Sequence, residues 1–145
     1  MAKLANQSRA PEGRAWLYTV TRWALAKALI AGISVLILTQ VLYIGVLVKI
    51  NYYELLRWVL LVSPCLAAFS TAYLAPRQKV IWGISMSVFG VVIGMLSAIG
   101  YEYFGLTVDH IGGPVATFVI LMAYHAPLSI VGSVAGYFLS KKRAP

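Results

Sequence analysis

His125 is the residue of this chain best placed to do chemistry. It lies about ten residues into an uncharged stretch that starts near Val115, which is about 15 Å of helical rise. An ionisable side chain at that depth in a membrane marks a candidate functional site. Tyr124 adds a phenol beside it, and Pro127 follows two residues later. A proline inside a helix cannot donate to the carbonyl four residues back, here Ala123, and its ring bends the axis. An imidazole, a phenol and a freed carbonyl can relay a proton, contact a substrate or contribute to a metal or haem site. Gln40, with Thr39 beside it, lies midway along another uncharged stretch and is the polar partner expected to meet them. The structural alternative is a neutral imidazole bonded to Gln40, to a serine or to a freed carbonyl.

Other reactive groups do not assemble into a set. Cys65 is the only cysteine, so an intramolecular disulfide and a thiolate zinc site are both excluded. Glu102, Asp109 and His110 fall in one connection (residues 102–114, EYFGLTVDHIGGP) at irregular spacing, which reads as a solvated loop rather than a ligand set. No HExxH, GxSxG or phosphate-loop pattern occurs. The sequence therefore predicts a non-enzymatic protein with no cofactor and no metal.

Composition dictates what holds these residues. Hydrophobic residues make up 61% of the chain and charged residues 11%, too little charge to coat a soluble domain and too much apolar content for disorder. Four uncharged stretches, at about 28–48, 58–75, 80–101 and 115–139, are each long enough to cross a hydrocarbon core of about 30 Å as a helix. The reading is an all-α integral membrane protein with four transmembrane helices in two helical hairpins. Residues 1–27 form a basic arm, with an interfacial helix at 15–27 (AWLYTVTRWALAK). Residues 28–145 form the membrane domain. The N-terminal segment reads as an uncleaved signal-anchor, since its basic region is long and no small-residue cleavage site follows.

The net charge of +8 is an orientation signal. Four crossings place ten Lys and Arg on one side and only Lys49 and Arg57 on the other. That bias predicts both termini in the cytoplasm of a bacterial-type inner membrane. Nucleic acid is not an expected partner; the lipid bilayer is. Acidic residues are missing from all four stretches. This separates the chain from the small multidrug exporters, four-helix proteins of similar size whose proton coupling uses an intramembrane carboxylate.

Small residues supply the packing signal. The third stretch carries Gly83, Ser87, Gly90 and Gly94 on one narrow face, and the fourth carries His125, Ser129, Gly132, Ser133 and Gly136. Each contains a GxxxG pair, the pattern that lets helix backbones approach closely in lipid. These two faces are expected to pack on each other. Pro64 and Pro127 are expected helix kinks. Residues 30–34 (IAGIS) resemble 81–85 (IWGIS), as either a duplicated hairpin or chance similarity would produce. The function expected first is an accessory subunit that binds other membrane proteins, or itself, through its small-residue faces. The alternative is a small oligomeric transporter or channel with a polar midplane site at Gln40, Tyr124 and His125.

Overall fold

A computed structural model describes residues 10–42, 53–103 and 113–142. They form four helices: α1 (Ala10–Leu42), α2 (Tyr53–Leu74), α3 (Lys79–Tyr103) and α4 (Gly113–Lys141). Three of them contain stretches long and apolar enough to cross a membrane, Thr21–Leu42, Lys79–Ser97 and Phe118–Lys141, while α2 contributes the shorter stretch Val62–Leu74. Residues 43–48 of the first expected span, and Asp109 and His110 of the outer connection, lie outside the described residues.

Local chemistry explains the helix limits. α1 begins well before the uncharged stretch and runs through 15–27 without a break. Its arginines, lysine, alanines and leucines are all good helix formers, so charge there sets where lipid contact starts and not where the helix starts. Pro11 sits in the first turn, where its missing N–H costs nothing. Between α2 and α3 the chain turns tightly. Ala75 N–H still donates to Thr71 O at 2.9 Å, and Trp82 N–H donates to Gln78 O at 3.1 Å to open α3. Gln78 takes a left-handed backbone, φ 48°, a conformation an L-residue adopts only at some cost.

Helix α2 is the hub. It packs against all three other helices, most broadly against α4, whereas α1 and α4 make no contact among the described residues. Its buried face is made of Ser63, Ala67, Ala68, Thr71 and Ala72. The small core cluster of Leu36, Ala67, Ala68 and Met86 joins α1, α2 and α3. Large apolar side chains point the other way: Ile30, Leu38, Leu66, Val88, Leu96, Val119 and Phe138 are all exposed. Small residues inside and large ones outside are what lipid solvation favours, since helix association there rests on close packing and not on expulsion of water.

The glycines show how close the backbones come. A Cβ at Gly132 would overlap the carbonyl of Cys65, and one at Gly136 would stand 2.5 Å from the carbonyl oxygen of Phe69. A Cβ at Gly32 would overlap the Thr71 hydroxyl and stand 2.7 Å from the Met86 sulfur. Thr71 Oγ1 then reaches across to donate to Ala28 O of α1 at 3.3 Å. Gly94 is different: among the described residues, a Cβ there would meet only the Leu121 methyl groups, at 3.2 and 3.6 Å.

These neighbours set opposite expectations for two GxxxG glycines. In Gly132→Ala the new methyl meets backbone that cannot rotate away. Overpacking of about 1–3 kcal/mol outweighs the gain of about 1 kcal/mol in helix propensity, so the melting temperature in detergent falls. In Gly94→Ala a leucine side chain can shift, and the melting temperature holds or rises. Equal melting temperatures for the two variants would show that α2 and α4 are not in backbone contact.

Candidate functional site

The site is built where α4 turns two adjacent stripes inward. At about 100° per residue, Gly132 and Gly136 point to one neighbour while His125, Ser129 and Ser133 point toward the next. The first stripe meets α2 at Cys65 and Phe69. The second meets α3: a Cβ on Gly83 would overlap the Ser133 hydroxyl, and one on Gly90 would overlap Nδ1 of His125 and lie 2.6 Å from its Cε1. The same Cβ on Gly83 would stand 2.9 Å from Ala68 O, so α3 is wedged between α2 and α4. Gly83, Gly90 and Gly94 of α3 thus face α4. The GxxxG pair of α4 meets α2 instead.

His125 is 6% exposed, and the Nδ1–Cε1 side of its imidazole occupies the space that Gly90 leaves. Its Nδ1 is buried with no hydrogen-bond partner, and so is Oγ of Ser129. Ser129 is one helical turn from His125, fully enclosed, so the two unpartnered polar atoms belong to one face. Ser133, a further turn along, is also fully buried but bonds back to Ser129 O at 2.5 Å. Ser87 is buried on α3 and donates to Ile84 O at 2.8 Å. Tyr124 is half-buried and meets His125 edge to face, with ring centres 6.1 Å apart at 69°.

The partners expected for His125 are elsewhere. Gln40 is half-buried on α1, which does not adjoin α4, so Gln40 stands apart from Tyr124 and His125. Thr39 bonds its own helix, at Val35 O and Leu36 O. Helix α4 passes through Pro127 and α2 through Pro64 without interruption. Pro127 and Ala123 are exposed, on the outer side of α4. Ala123 is two residues from His125, about 200° around the helix, so the carbonyl that Pro127 leaves free cannot serve the imidazole. Pro64 is buried on the inner face of α2. Ser129 is the group that sequence reasoning underused. Its spacing from His125 was visible, but its lack of a partner depends on which helix faces it.

A nitrogen and a hydroxyl one turn apart, both without a protein partner, form a two-point polar site. The two atoms do not bond each other, so each keeps an unused capacity for a hydrogen bond. Three-ligand metal chemistry needs more: among the described residues, no group of three His, Cys, Asp or Glu lies together.

The contact between Gly90 and the imidazole has a measurable energy. Gly90→Ala forces the ring aside and destabilises the fold by about 1–3 kcal/mol. In a His125→Ala background the same methyl finds room, so the double-mutant cycle shows a coupling of about 0.5–3 kcal/mol, read by unfolding in mixed micelles. Strict additivity would mean that the imidazole does not rest on Gly90. No protein-family model, curated protein or solved structure matches the chain.

Proposed function

We propose that the chain is a four-crossing membrane protein of two helical hairpins, with both termini in the cytoplasm of a bacterial inner membrane, acting as a non-enzymatic interaction subunit. Three helices that can cross a membrane support the location, and the ten-to-two distribution of Lys and Arg supports the orientation. The fourth crossing is assigned to α2. It packs against all three other helices, and its outward side chains, Trp58, Val62, Leu66 and Leu74, are apolar and exposed, as a lipid-facing surface requires.

The observation that carries the interaction role is the apolar exterior. Ile30, Ile37, Leu38 and Val41 stand exposed on α1, the helix with no contact to α4. Such a face packs against lipid or against another membrane helix with similar ease. The small-residue faces first expected to bind a partner are closed within the chain, at Gly83, Gly90, Gly132 and Gly136. The partner surface is therefore assigned to outward faces, α1 foremost.

A second reading, a transporter or channel site, is favoured by one feature: the enclosed and unpartnered His125 and Ser129. Two measurements separate the readings. An in-membrane crosslinker placed at Leu38 captures a specific protein band under the subunit reading, and His125→Leu leaves that band intact. Under the transport reading, His125→Leu abolishes flux in liposomes while the fold persists, and crosslinking at Leu38 yields only lipid adducts. A periplasm-only reporter fused after Arg143 is expected to be silent; activity there would refute the assigned orientation.

A further inference from the structure

The turn between α2 and α3 shapes a feature that the packing does not use. A cleft of about 350 Å³ opens there, walled by Arg77, Gln78, Lys79, Ile81 and Tyr137. Two cationic side chains line it and no carboxylate does. Arg77 is exposed and Lys79 partly exposed, and no carboxylate lines the cleft beside them. The rest of the lining is mostly apolar: Pro76, Val80 and Ile81, the last 62% exposed, with the Tyr137 ring, which meets Phe138 edge to face at a centre separation of 5.6 Å. Cations meeting an apolar wall is the arrangement of an amphiphile site, with a charged head at one end and a chain along the other.

The position in the fold agrees with this. The membrane-crossing stretch of α3 begins at Lys79, and that of α4 ends at Lys141. The cleft joins those two ends, at the level where a span leaves hydrocarbon for headgroups. The turn adds donors. Trp82 is the first residue of α3 whose N–H bonds back to the turn, to Gln78 O, so the N–H groups of Lys79, Val80 and Ile81 have no intrahelical acceptor. These donors reinforce a site that the two side-chain cations and the cleft already define.

We propose that this cleft binds the phosphate-bearing headgroup of an anionic membrane lipid, with Arg77 and Lys79 on the phosphate and an acyl chain along Ile81 and the Tyr137 ring. Arginine grips phosphate with two parallel donors, and lysine adds a point charge. The inference rests on the membrane-embedded reading above. It goes further in assigning one lipid to one place, where a general attraction of basic ends for an acidic membrane would be spread over every cation.

The test uses the full-length chain in neutral detergent, titrated with phosphatidylglycerol, phosphatidylcholine or inorganic phosphate, with bound lipid counted by native mass spectrometry. Saturable binding of phosphatidylglycerol, but not of phosphatidylcholine, is expected. Each cation removed lowers affinity about fivefold, so Arg77→Gln with Lys79→Gln gives about a 25-fold loss. Arg77→Lys, which keeps the charge, loses less than Arg77→Gln. Arg22→Gln with Lys142→Gln, the same charge change at residues that do not line the cleft, leaves binding intact. Equal losses in the two double variants would overturn the proposal in favour of diffuse attraction. Displacement of the lipid by inorganic phosphate at equal concentration would also overturn it, since the ligand would then be free phosphate. Arg77→Gln alone decides the matter if the double variant misfolds. Release of the chain from membranes by carbonate would sink the membrane reading itself; retention without cleft-dependent binding sinks the cleft alone.

Discussion

Where α2 and α4 meet, the Cα atoms of Gly132 and Gly136 lie against the backbone at Cys65 and Phe69. Lipid offers no reward for burying apolar surface between helices, so attraction must come from many atoms at short range and from weak Cα–H to carbonyl contacts. Both weaken quickly with distance. Glycine at this seam is therefore what allows the two helices to hold each other at all. The other elements follow from it. With α2 and α4 drawn together, α3 lies in the groove between them, and Gly83 touches both at once. Helix α1 closes the far side, where Gly32 admits Thr71 and Met86 and the Thr71 hydroxyl ties Ala28.

The same tight interior governs its polar groups. Ser70, Ser85, Ser87, Ser97 and Ser133 each return their hydroxyl proton to a carbonyl of their own helix. A hydroxyl satisfied in this way needs nothing from its neighbours and can be packed like a methyl group. Ser129 and His125 depart from that pattern. An unpaired polar group in an apolar interior costs about 1–3 kcal/mol, a large share of the stability of a small domain. Close packing around Gly90 keeps the imidazole in place despite that cost.

The sequence made the helices legible because charge-free runs of this length have one stable form in lipid. It also marked the glycine faces, since spacing alone places Gly83, Gly90 and Gly94 together. It could not assign partners. GxxxG says that a backbone can approach, not whose. On α4 one apparent face is two, because Gly132 and Ser133 differ by about 100° and serve different helices. The surroundings of His125 were hidden for a related reason. The residue opposite it is Gly90, which carries no side chain and so leaves no polar signature to match. The expected helix at 15–27 and the first span are one continuous α1, because hydropathy reports contact with lipid and not where a helix begins.

The kind of atom that faces each glycine also decides which substitutions can be compensated elsewhere in the chain. Gly94 faces a leucine side chain and Gly90 an imidazole. A larger residue at either can be accommodated by a smaller one at Leu121 or His125, so these positions are free to covary through descent. Gly132 and Gly136 face main-chain carbonyls. Every amino acid brings the same carbonyl, so no exchange at Cys65 or Phe69 can make room. The seam between α2 and α4 is thus closed to gradual revision, while the seam between α3 and α4 can be rewritten one pair at a time.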